Sequence, residues 1–130
     1  MAGHSKPKGQ PGPLSADYPC REIFNHMTNR WGFLVLVALD PGPLRFHLLR
    51  DAVEGISEKM LSQTLKLLIR DGLIERRVVP AVPPQVSYAL TSLGAGITPR
   101  LDSIADWIGQ NLDAIEQAQD RYDRDNQSQV

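Results

Sequence analysis

Residues 57–73, SEKMLSQTLKLLIRDGL, restrict what this chain can fold into more than any other stretch. At about 100° per residue, Lys59, Ser62, Gln63, Lys66 and Arg70 share a polar arc about 100° wide, and Met60, Leu61, Thr64, Leu65, Leu67 and Leu68 fill the other side. The spacing therefore predicts an amphipathic helix with one face in a core. Ser57 is suited to the N-cap because its hydroxyl can accept from the unpaired amides of the first turn. Gly72 is suited to the position just past the C-cap because it takes φ > 0 without a Cβ penalty.

A face of Lys, Ser, Gln, Lys and Arg serves either as a solvated surface or as a row of hydrogen-bond donors for a ligand. The neighbouring segments bear on the choice. A short helical segment, 46–53, precedes it across the turn Glu54-Gly55-Ile56, and a two-strand pattern follows. That order is the layout of a helix-turn-helix with a wing, whose second helix lies in the major groove. There Lys can donate to guanine O6 and N7, and Gln can pair with adenine.

With 130 residues the chain can build one core but hardly two. No apolar run approaches a membrane span and no signal-peptide core follows the N-terminus, so the expected location is the cytoplasm. The net charge of −1 hides a division. Residues 44–100 carry eight Lys and Arg against five Asp and Glu, whereas residues 101–130 carry two against seven. Phosphate contacts depend on local cations, so a near-neutral total leaves DNA binding open while lowering the expected non-specific affinity.

Residues 1–16, rich in Gly, Pro and Lys, read as a disordered arm whose lysines are either solvated or brush a phosphate backbone. Residues 17–27 read as a short helix opened by Pro19, with Ile23, Phe24 and Met27 on one side. Thr28 is expected to cap a second helix through Leu39, apolar nearly all round and hence central, which Pro41-Gly42-Pro43 stops. In the next helix Phe46, Leu49 and Val53 face inward, leaving Arg45, His47 and Arg50 outward. Arg45 and Arg50 would suit phosphate contacts, or be plain surface arginines. Residues 74–79 and 85–90 form a hairpin around Pro80, Pro83 and Pro84, with Arg76 and Arg77 on the first strand within reach of a DNA backbone. Thr91 begins a last helical region, which Pro99 either kinks or restarts. Its stripe of Leu101, Ile104, Ile108, Leu112 and Ile115, with Trp107 beside it, predicts a dimer surface or packing back on the first helices. Beyond Gln119 the polar tail, 120–130, is expected to fray.

Several linked segments, PCREIFNHMTNRWG, GISEKMLSQTLKLLIRDGLIER, VVPAVPPQVSYALTSLG and the apolar tail with Asp102 and Trp107, resemble the HxlR-type winged helix-turn-helix transcription regulators of bacteria, relatives of the MarR group. The likeness covers about residues 17–112. It implies a mainly α domain over residues 17–119 with a small β-hairpin, a homodimer joined through its N- and C-terminal helices, and a roughly palindromic operator. Some members respond to small electrophiles, oxidants or metabolites. The resemblance places Ser57, Lys59, Ser62, Gln63 and Lys66 on the DNA-reading helix, and Arg76 with residues 80–84 in the wing. Two departures stand out. Oxidant-sensing members carry a Cys just before the Pro of the first helix, where this chain has Tyr18, and the only thiol, Cys20, follows two residues later. The wing has Ala81, Gln85 and Ser87 where the family often has charges, which predicts weaker wing contacts.

Cys20 is a candidate redox sensor, because a helix N-terminus and Arg21 would favour its thiolate; a buried packing thiol is the other reading. His4, His26 and His47 have no metal-ligand spacing with one another or with Cys20, and no cofactor fingerprint or catalytic constellation is found. The expected function is a DNA-binding transcriptional regulator, a repressor, with phosphate contacts from Arg45, Arg50, Lys66, Arg70, Arg76 and Arg77 and base reading by Lys59, Ser62 and Gln63. The alternative is a winged-helix module that docks protein. A small-molecule effector would fit an apolar pocket between Trp31, Phe24 and the dimer helices.

Overall fold

The computed structural model describes Leu14 and residues 21–127. The arm over residues 1–16, the first turn expected at Pro19, Cys20 and the last three residues lie outside the described residues, Leu14 excepted. The elements run α1 (Arg21–Thr28), α2 (Arg30–Ala38), β1 (Leu44–Arg45), α3 (Phe46–Ala52), α4 (Glu58–Arg70), β2 (Ile74–Val79), β3 (Gln85–Leu90), α5 (Ser92–Gln110) and α6 (Leu112–Gln127).

The apolar α2 is the centre of the core, as its composition demanded. Val35, Leu36 and Leu39 pack there with Leu49 of α3 and with Leu61, Leu65 and Leu68 of α4. Its cap is Asn29 rather than Thr28. The Asn29 carboxamide oxygen accepts from the Trp31 amide at 3.0 Å, while the Thr28 hydroxyl turns back to donate to the Phe24 carbonyl at 2.7 Å. Both residue types cap well, so packing decides between them. A Cβ on Gly32 would lie 2.0 Å from the His26 carbonyl oxygen, so the bare glycine lets α2 cross the last turn of α1.

The hairpin has the expected limits, pairing antiparallel from Ile74↔Leu90 to Val79↔Gln85. A third strand joins it: β1 pairs with β3 through Leu44↔Tyr88 and Arg45↔Ser87, giving the order β1-β3-β2. The turn after α4 is fastened to the start of α5. Gly72 takes φ +78, and the Leu73 amide donates to the Leu68 carbonyl at 3.0 Å, a helix stop that only a left-handed residue allows cheaply. The Thr91 hydroxyl donates to the Gly72 carbonyl and accepts from the Gly94 amide, so one side chain ties this turn to the next helix.

Pro99 neither starts nor breaks α5, which runs across it. Gly94, Thr98 and Leu101 bury the first half of the helix against the domain, and the stripe residues beyond them emerge into solvent. α6 buries no residue and stays helical to Gln127, past the point where polar sequence suggested fraying. No helix among the described residues is long and apolar enough to cross a membrane.

Candidate nucleic-acid interface

α3, the turn around Gly55 and α4 form a helix-turn-helix in which α4 is held from both ends and from beneath. The Ser57 hydroxyl accepts from the Met60 amide at 3.1 Å, a cap worth about 1 kcal/mol. Leu61, Thr64, Leu65 and Leu68 are buried, Met60 is half-buried, and Leu67 is exposed against expectation. Lys59, Gln63, Lys66 and Arg70 are exposed and Ser62 half-buried, so the polar arc read from the sequence is the outward face of the helix.

Two different neighbours flank this face. On one side lies the wing, where Ser62 and Lys66 share a hollow of about 200 Å³ with Phe46, Ile69, Arg76 and Tyr88. On the other side lies α1, with Gln63 and Leu67 facing Asn25 and His26. Lys59, at the middle of the arc, projects between them. The structure thus brings Ser62, Lys66 and Arg76 together, although the last is separated from the others by the whole turn into the hairpin.

The arginines are not equivalent. Strand alternation puts Arg76 and Arg77 on opposite faces of the sheet. Arg76 joins the α4 hollow, whereas Arg77 borders a second hollow with Leu39, Asp40 and Pro43 and lies 3.5 Å from the Glu75 carboxylate. Arg50 donates to Glu58 at 2.6 Å and stands 3.5 Å from Asp51, joining the end of α3 to the start of α4. Arg70 leans 3.8 Å from Glu22 of α1. Among the described residues, no ion pair occupies Arg45, Lys59, Lys66 or Arg76, and all four are exposed. The pairs of Arg50, Arg70 and Arg77 are solvent-facing and weakly held, so a phosphate can replace the carboxylate at small cost.

Sequence reasoning missed two residues. Glu58 puts a carboxylate in the first turn of the outward helix beside Arg50, a signal available from its place after Ser57. His26 joins Asp71 through a 2.6 Å contact across 45 residues, tying α1 to the end of α4, and no local pattern announces it. Among the described residues no group of three or more His, Cys, Asp or Glu could hold a metal ion.

Residues 26–116 match the family described as HxlR-like helix-turn-helix. The chain belongs to that family. An HxlR-like relative, the uncharacterized HTH-type transcriptional regulator YtfH of Escherichia coli (strain K12), is 47% identical over 97 residues, spanning 75% of this chain and 77% of its own. Among solved structures, one named as the transcriptional regulator ytfH from Salmonella typhimurium superposes with a TM-score of 0.77 at 42% identity, covering 84% of this chain and 97% of the other. The redox regulator HypR in its reduced form superposes with a TM-score of 0.69 at 28% identity, covering 76% and 98%. The HxlR-like chain is therefore a transcriptional regulator with a helix-turn-helix DNA-binding fold. α4 occupies the place of the second helix of that motif, and β2 and β3 form the hairpin that follows it.

Proposed function

We propose that this HxlR-like protein is a cytoplasmic, sequence-specific repressor that occupies a roughly palindromic operator as a homodimer. The observation that carries the reading is the cationic and amide-bearing face of α4 set beside Arg76 of the wing. Lys59, Ser62 and Gln63 read base edges in the major groove, while Arg45, Lys66 and Arg76 position the domain on phosphates. Arg50, Arg70 and Arg77 add phosphate contacts when they exchange their carboxylate partners. Ser57 caps the reading helix and presents the amides of its first turn to the backbone.

A second copy of the chain is the proposed occupant of the apolar seam on α5 and α6. Ile104, Trp107, Ile108 and Leu112 are between 44% and 58% exposed, and Phe24 of α1 is 58% exposed. α6 buries nothing in one protomer. In proteins most helical stability comes from a packed face, which for α6 a second copy would supply. A two-fold pair would set two copies of α4 about 34 Å apart, one turn of B-DNA, and that symmetry is the reason to expect a palindrome.

The proposed regulator is released by a small molecule or an oxidant. HypR is named a redox regulator, and Cys20 is the thiol through which an oxidant would act on this chain. Selection of genomic fragments by the purified full chain tests the central claim. Recovery of a shared inverted repeat, bound with strong salt dependence, is expected. Indifference to every duplex together with a tight protein partner would instead establish a protein-docking module.

A further inference from the structure

The flank of α4 that faces away from the wing is not closed. A cavity of about 240 Å³ lies between α1, α2 and α4. An apolar cavity of about 150 Å³ suffices to hold benzene, so this one has room for a single ring and a short substituent. Met60, Leu67 and Leu68 supply apolar wall, and Leu67 remains 40% exposed, an unusual state for a leucine on a helix whose other apolar residues are covered.

The polar lining is selective about what it can still bind. His26 is committed, with Nδ1 2.6 Å from Asp71 and Nε2 3.7 Å from Glu22. Asn29 uses its carboxamide oxygen to cap α2. Asn25, Gln63 and Thr64 make no side-chain hydrogen bond within the protein among the described residues. Thr64 is the telling case, because it is only 7% exposed. Thr64 lines the cavity, and among the described residues no sealed side-chain oxygen lacks a partner, so its unpaired hydroxyl is not fully enclosed by protein. A buried hydroxyl without a protein partner is costly unless something else bonds to it. The two carboxylates behind His26 disfavour an anion.

We propose that this cavity binds an uncharged, single-ring molecule carrying one or two hydrogen-bonding groups, held by the Thr64 hydroxyl and the carboxamides of Asn25 and Gln63. Since Gln63 is also a proposed base reader, a ligand that bonds its carboxamide draws it out of the groove and weakens operator binding. That coupling rests on the proposed function; the binding site itself does not.

Titration of the isotope-labelled full chain with phenol and benzamide, followed by NMR, tests the site, with benzoate as the charged control. The expected result is saturable shifts confined to residues around Asn25, Gln63, Thr64 and Leu67, with benzoate at least about tenfold weaker. Thr64→Val, nearly equal in shape, should weaken the uncharged probes about tenfold by removing one hydrogen bond. Asn25→Leu, on an exposed residue, should weaken them too and guards against a folding defect in the first variant. Absence of localised shifts with both probes up to about 10 mM, an affinity weaker than any single-ring binder of use, overturns the site. Equal affinity of both variants and the parent overturns it as well. Probes that bind while operator affinity stays constant overturn the coupling alone, whereas a chain that binds the probes and no DNA overturns the repressor reading and leaves the site in place.

Discussion

Arg76 and Arg77 are adjacent in sequence but face opposite sides of the wing, and replacing each in turn by alanine turns that geometry into a measurement. Arg76 shares a hollow with Ser62 and Lys66 of α4, whereas Arg77 stands on the far face beside Glu75. Counting Arg45, Lys66 and Arg76, the proposed phosphate contacts that give up no carboxylate partner, gives about six in a dimer, which predicts that log affinity falls against log salt with a slope of about −5. Arg76→Ala removes about two of these contacts, flattening the slope by about 1.8, so the loss between 50 and 200 mM salt shrinks from about three orders of magnitude to about two. Arg77→Ala should change the slope by less than half as much. Fluorescence anisotropy on an operator fragment and a random duplex across that salt range gives both slopes. Because a phosphate contact carries no sequence information, Arg76→Ala should weaken both duplexes alike. Equal flattening by the two variants, or a loss confined to the operator, would refute the assignment.

Gln63→Ala should relax preference at one base position in each half-site, a loss of about 1–3 kcal/mol of discrimination read from competition with single-base operator variants. Its salt slope should match that of the parent, and a flattened slope would place Gln63 on the backbone. Trp107→Glu sets a charge in the centre of the exposed seam on α5 and should convert a dimer to a monomer by analytical ultracentrifugation, with a loss of operator affinity and an unchanged circular dichroism signal over the reading domain. A parent that sediments as a monomer would contradict the proposed pairing. Mild oxidant should modify Cys20 and lower operator affinity, with Cys20→Ser abolishing the response; an unmodified thiol by mass spectrometry with binding unaffected ends the oxidant route.

How much of this was legible depended on how far apart the interacting residues are in the chain. α4 could be placed from its own residues, because Ser57, the period of its leucines and Gly72 all act within one helix and its caps. The hairpin was legible for the same reason, since alternation over residues 85–90 and the prolines before it define both strands and turn. β1 was not legible: two residues carry no periodicity, and its partners Tyr88 and Ser87 are more than 40 positions away. The cap of α2 was missed by one residue because Thr28 and Asn29 are chemically equivalent candidates, and the crossing at Gly32 is a tertiary constraint. The persistence of α6 to Gln127 was hidden by its polarity, since a helix that buries no residue leaves no apolar stripe to mark its end.

The same distinction divides the two flanks of the reading helix. Its outward chemistry is local, so the residues that would touch DNA stand out in the sequence as a polar arc. What α4 leans on is not local. The wing side depends on strand register, which alone separates Arg76 from Arg77, and the α1 side depends on the contact between His26 and Asp71 across 45 residues. That contact joins the helix bearing exposed Phe24, part of the proposed dimer surface, to the end of the helix proposed to read DNA. Any change in how two protomers sit together would therefore reach α4 through its C-terminal turn, while a molecule in the adjoining cavity would reach it through Gln63 and Thr64 in its middle. In the proposed arrangement operator affinity would depend on both, and neither input could be seen in the seventeen residues proposed to carry the recognition chemistry.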